Sequence, residues 1–205
     1  MIRIKPNIAV VSTLLLLTSI PITTQADLPA LTDKCLECHG TAGNSDRPQI
    51  PSIAGFSTNN LLDSLLSYKY GDRKGKSIQT PHLGKTDMNR VTQSLRPEEI
   101  KALGEFFAKQ PFRPATQKYD ADLAALGARI HEEKCEECHH DGGAFPEDDT
   151  GIIAGQWKPY LERQFELFIA NARPTTKKMA RRFNTLDESD RRALVEFYAS
   201  RQQIN

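Results

Sequence analysis

Two short strings carry the chemistry of this chain. Cys35-Leu36-Glu37-Cys38-His39 and Cys135-Glu136-Glu137-Cys138-His139 are the same CxxCH pattern, displaced by 100 residues. Two thiols at that separation reach both vinyl groups on one porphyrin edge, and the adjacent histidine then lies beneath the iron as its proximal ligand. Cys35 and Cys38 would therefore hold one covalently attached haem c with His39 on its iron. Cys135 and Cys138 would hold a second with His139. The sequence contains no other cysteine.

Other uses of paired cysteines fit less well. A zinc site built from two CxxC pairs expects them about 15–20 residues apart, whereas here a domain's length intervenes. A thioredoxin-type pair needs a βαβ context that the sequence does not offer, and plain disulfides leave a histidine after each pair unexplained.

The sixth iron ligand decides between electron transfer and substrate chemistry, because an open position admits small molecules. Beyond the initiator, the only methionines are Met88 and Met179, 49 and 40 residues past their histidines and at equivalent places in the repeat. A single methionine is most simply a core filler, but one per CxxCH, in register, argues for axial ligation. A thioether opposite imidazole favours ferrous iron and raises the potential. His82, six positions before Met88, reads as a loop histidine able to replace it, and His131 and His140 as non-ligands. Pro51, twelve residues past His39, is placed to offer a carbonyl to that imidazole, although the second copy has Gly151 there. Arg73 and Arg173 share a repeat position and are candidates to pair with haem propionates. Lys177, Lys178, Arg181 and Arg182 surround Met179 and are suited to steering an acidic partner.

The elements that must position these residues also repeat. Ile53-Ala54-Gly55 returns as Ile153-Ala154-Gly155 and Arg73 as Arg173 at an offset of 100, whereas Met88 returns as Met179, Leu103 as Leu194 and Phe106 as Phe197 at an offset of 91. The difference places nine extra residues in the first copy, between Arg73 and Met88. Periodicity predicts helices over 59–70, 121–134 and 160–170, with Pro97 opening another and Asp187 and Asp190 forming a capping box for the last. Alternating strand patterns are absent, so the expected fold class is all-α. Pro111 and Pro114 deny a helix its backbone donors, giving a division into 27–110, a linker at 111–118 and 119–205.

Residues 1–26 read as an export leader. Arg3 and Lys5 precede an apolar stretch from Ile8 to Ile20, and the leader ends at about Ala26, too short to span a bilayer. The mature chain is then expected in the periplasm without a membrane span. Removing Arg3 and Lys5 leaves 25 basic side chains against 26 acidic ones, which argues against a nucleic-acid binder.

With both CxxCH strings, both methionines and the repeat, the chain resembles the diheme cytochromes c of the cytochrome c4 type. More narrowly it is similar to the cytochrome subunit of flavocytochrome c sulfide dehydrogenase, on the stretch from Arg113 to Cys135, on Gly155-Gln156-Trp157-Lys158-Pro159-Tyr160-Leu161 and on Lys177-Lys178-Met179-Ala180. The resemblance implies two tandem class I cytochrome c domains, each around one haem with His and Met ligands. In the narrower case it also implies a flavoprotein partner that oxidises sulfide and passes electrons to this chain. The first half departs from the family where Phe56-Ser57 follows Gly55 instead of glutamine, and where 75–85 lengthen the approach to Met88. An electron-transfer protein is expected, not an enzyme. The rivals are a freestanding cytochrome c4-like shuttle to a terminal oxidase or another periplasmic redox protein and, from a different class, a diheme peroxidase.

Overall fold

The computed structural model describes residues 27–203, so the expected leader lies outside the described residues. The first half contains α1 (Leu28–His39), α2 (Thr58–Tyr70), a hairpin of β1 (Ile78–Thr80) and β2 (Gly84–Thr86), α3 (Met88–Gln93) and α4 (Pro97–Ala108). The second contains α5 (Ala121–Lys134), a single turn α6 (His140–Gly143), α7 (Lys158–Ile169), α8 (Lys177–Phe183) and α9 (Glu188–Ser200).

Local chemistry sets the boundaries. The Ser57 hydroxyl accepts from the Asn60 amide to open α2, and the Asp187 side chain does the same for Asp190 at α9, supplying acceptors to amides that have no partner within the helix. Pro97 opens α4, where its missing N–H costs nothing. Between α4 and α5, residues 111–120 form no helix.

Each half builds its own core. Leu31, Leu61, Leu95, Ile100, Leu103 and Phe107 pack together in the first, and Ile130, Leu161, Phe183, Leu186, Leu194 and Tyr198 in the second. The internal repeat is also a repeat of backbone bonds. The Gly43 carbonyl accepts from Ile53 and Ala54, and the Gly143 carbonyl from Ile153 and Ala154; the Gly55 and Gly155 amides donate to the carbonyls of Phe107 and Tyr198.

Two local features depart from expectation. The nine-residue excess folds as an antiparallel hairpin with Ile78 opposite Thr86 and Thr80 opposite Gly84; three-residue strands are too short to produce a readable alternation. The two CxxCH strings also differ in backbone, since α1 runs through His39 whereas α5 stops at Lys134. In the second half Glu136 accepts from the Asp141 and Gly142 amides and from buried His131, bonds that hold the string in a tight turn.

Candidate functional site

Each half surrounds a cleft. Cys35, Cys38, His39 and Met88 line the first with Pro51, Leu61, Leu65, Val91, Leu103 and Phe107. Cys135, Cys138, His139 and Met179 line the second with Leu161, Phe165, Phe168, Phe183 and Tyr198. Because the cysteine pairs lie in separate clefts, no four-cysteine zinc site forms.

The donor chemistry in the first cleft suits a covalently held haem. All four cysteines are free of disulfides. Burial pushes the Cys35 thiol up to about 12 and also raises Cys135, the reverse of the lowered thiols that serve redox exchange. His39 is buried, and its Nδ1 lies 2.8 Å from the Pro51 carbonyl oxygen. A carbonyl only accepts, so Nδ1 carries the proton and Nε2 keeps its lone pair, as a metal-ligating imidazole must. Burial lowers the His39 pKa, outweighing the Pro51 carbonyl, and keeps the ring neutral.

The second half has no proline in that place for a structural reason. Gly151 has φ +79°, and a Cβ there would lie 3.0 Å from the Asn60 side-chain oxygen of the other half. The position serves the junction between halves.

That junction is polar. The Gln156 side chain accepts from the Ser52 amide and donates to the Ser52 carbonyl, and the Trp157 indole donates to the Ser45 carbonyl. At the matching places in the first half, Phe56 packs against the core and Ser57 caps α2. The departure after Gly55 thus reflects a division of labour, in which the glutamine and tryptophan of the second half reach into the first. Asp149 adds acceptors for Ser57 and for Asn59, the latter at 3.1 Å.

At the wall shared by both clefts, Arg73 and Arg173 donate to one oxygen, Oε1 of Gln164, at 2.7 and 3.0 Å. Arg73 is buried, its guanidinium stacks on Tyr68, and its Nε has no hydrogen-bond partner. Among the described residues neither guanidinium meets a carboxylate. Lost hydration and the Arg73 charge bring Arg173 down to about 10. Burial would raise the Tyr160 phenol, but both arginine charges hold it below its ordinary value. Two cations brought together away from water call for an anion, and the carboxylates of a porphyrin are of that class. The site therefore fits haem c in donor set, cavity and charge.

The remaining candidates fall elsewhere. His82 caps the hairpin, 85% exposed in its side chain, and does not line the cleft. His131 is buried with Nδ1 2.9 Å from the Tyr198 hydroxyl and Nε2 2.7 Å from Glu136, a polar bridge inside the second core. The joint acceptor Gln164 was not among the sequence candidates; its signal was its place nine residues before Arg173 on the helix that lines the cleft.

Comparison with known proteins defines the class. Residues 29–110 match the cytochrome c family model. Cytochrome c-554(548) of Halomonas halodenitrificans is 31% identical over 78 residues, 37% of this chain and 83% of that protein. The chain belongs to the cytochrome c family, and in that family it is an electron-transfer protein of the cytochrome c4 type rather than an enzyme. Cytochrome c4 of Thiocapsa roseopersicina is 27% identical over 144 residues, covering 65% of this chain and 68% of the relative. The fold of cytochrome c4 from Acidithiobacillus ferrooxidans superposes with a TM-score of 0.68 at 24% identity, covering 82% of this chain and 99% of that one. The fold is thus mostly helical with two class I cytochrome domains. No helix among the described residues is long and apolar enough to cross a membrane.

Proposed function

We propose that the protein is a two-haem electron carrier of the periplasm, divided at 27–110 and 119–205 with the leader removed after about Ala26. Cys35 and Cys38 would hold one haem c with His39 and Met88 as its iron ligands; Cys135 and Cys138 would hold the other with His139 and Met179. Bound there, haem c supplies a one-electron iron couple. The chain does the rest. Each thiol pair would fix the haem covalently, Pro51 keeps the His39 lone pair available, and Arg73 and Arg173 would pair with its carboxylates. The observation that carries the reading is the coincidence, in each of two clefts, of a CxxCH string and one methionine from the facing segment.

The partner we infer is a flavoprotein that oxidises sulfide, with this chain as its haem subunit. Support comes from Gly155 to Leu161 and from Lys177 to Ala180, and from stoichiometry, since two one-electron sites together take what a two-electron flavin releases. The similarity to cytochrome c4 favours a freestanding shuttle equally. Affinity purification of the tagged chain from its native host separates the two: co-elution of a flavin-containing protein is expected of the subunit, and elution alone overturns that assignment in favour of the shuttle.

A further inference from the structure

The two CxxCH strings each carry a glutamate in the same position, Glu37 and Glu137, and the two have opposite surroundings. In the first half the hairpin tip lies on the string. Glu37 accepts from the His82 amide at 2.8 Å, its carboxylate is 3.4 Å from His82 Nδ1, and its side chain is only 12% exposed. Lys76 reaches the Gln49 side chain, and Lys76, Ile78 and Thr86 line the cleft beside Cys35 and Cys38. In the second half the chain runs from Arg173 to Met179 in six residues, against fifteen from Arg73 to Met88, with no hairpin between. Glu137 is 60% exposed and pairs with the exposed Lys178 and Arg182, at 2.6 and 3.1 Å.

We propose that the protein exchanges electrons with its partners through the mouth of the second cleft, where Lys177, Lys178, Arg181 and Arg182 form a docking rim for an acidic protein surface, and that the hairpin closes the matching mouth of the first. The inference rests on the reading that each cleft holds a haem. Electron tunnelling weakens steeply with distance, so a folded layer over a cofactor edge excludes a partner that an open mouth admits. The rim is a local field: α8 carries four cations and no acid, against a mature chain that is almost neutral. Such a patch speeds encounter with an anionic surface and fades with added salt. The first mouth is lined by Lys34, Lys74 and Lys76 as well, but these come from α1 and the segment before the hairpin rather than from one exposed helix, and the hairpin tip Pro81-His82-Leu83 lies against Glu37 beside them.

Stopped-flow reduction of the holoprotein tests the proposal, with reduced plant-type ferredoxin as an acidic protein probe and hexaammineruthenium(II) as a small cationic one. Lys177→Glu combined with Arg181→Glu should slow reduction by ferredoxin about tenfold or more at low salt and flatten its salt dependence, without slowing the ruthenium reaction. Lys101→Glu with Lys109→Glu makes the same net charge change on α4 and its C-cap in the first half, away from α8, and should alter the ferredoxin rate by less than about twofold. Trimming the hairpin by nine residues in the Lys177→Glu, Arg181→Glu background should recover speed with ferredoxin and raise the ruthenium rate above that of the untrimmed variant, by opening the first mouth. Glu37→Ala, which only unlatches the tip, should recover part of it if the trimmed chain folds poorly. Equal slowing by both double reversals, or no gain on trimming and on Glu37→Ala, would overturn the proposal. A pyridine haemochrome assay on the same samples separates this from failure of the cofactor reading: two haems with unaltered rates reject the docking face alone, whereas fewer than two reject both.

Discussion

The guanidinium of Arg73 donates to Oε1 of Gln164, 91 positions away and in the other half of the molecule, at 2.7 Å. Arg173, half-buried, shares that oxygen, so one amide holds two cations at the wall between the clefts. Gln164→Leu should leave both guanidiniums short of an acceptor and cost on the order of 1–3 kcal/mol, read as a lower denaturation midpoint of the holoprotein. Gln164→Glu should instead add a negative charge beside both cofactors, favour ferric iron and lower both midpoint potentials in a spectroelectrochemical titration. Unchanged potentials would mean that the wall does not sense the irons.

The two helix crossings predict an asymmetry in packing. A Cβ on Gly127 would lie 2.1 Å from the Ala193 carbonyl oxygen, where α5 meets α9, whereas one on Gly104 meets the Leu62 side chain at 3.1 Å and the Thr58 carbonyl oxygen at 3.2 Å. At 2.1 Å the backbone of α9 must move bodily, whereas at 3.1–3.2 Å a shift of a few tenths of an ångström suffices. Gly127→Ala should therefore lower stability by about 3 kcal/mol or more, and Gly104→Ala by about 1 kcal/mol, measured by guanidinium unfolding followed in the far ultraviolet.

The Asp149 link predicts a pH dependence. Donation from Ser57 and then Asn59 holds the Asp149 carboxyl below its ordinary value. The folded protein then binds fewer protons here than the unfolded chain does. Its contribution is complete above the unfolded value, about pH 4, and is lost as pH falls through the lower folded value. Because the group is exposed and screened, the effect is at most about 1 kcal/mol. Asp149→Asn keeps one side-chain acceptor and tolerates the residue's left-handed backbone; it should flatten the stability profile between about pH 5 and 3 in thermal melts compared with the unsubstituted protein.

The duplication predicts independent ligation. Met88→Ala and Met179→Ala should each open one iron to carbon monoxide and leave the other closed, so that each single variant binds one equivalent after reduction and the double variant two.

Much of this was legible in the residues, because covalent haem attachment needs a fixed string and duplication writes it twice. The helices from Pro97 and from Asp187, the span 121–134 and the Pro51 contact to His39 followed from local chemistry. What the sequence hid depends on the other half of the molecule. Phe56-Ser57 departs from the family's glutamine because Gln156 and Trp157 of the other half make the junction bonds, to Ser52 and Ser45. Gln164 was invisible because its two donors lie 91 residues before and 9 residues after it. The hairpin at 78–86 escaped because each strand is three residues long and its stabilising contact, Glu37, lies 45 residues earlier.

The most direct test of the central claim is the haem content and ligation of the purified mature protein. The account predicts an intact mass raised by two covalently bound haems per chain, and in the oxidised spectrum the weak sulfur-to-iron band at the red edge, diminished by half in Met88→Ala and in Met179→Ala alike. A single haem, or two haems with a bis-histidine or high-spin spectrum and no such band, would contradict it.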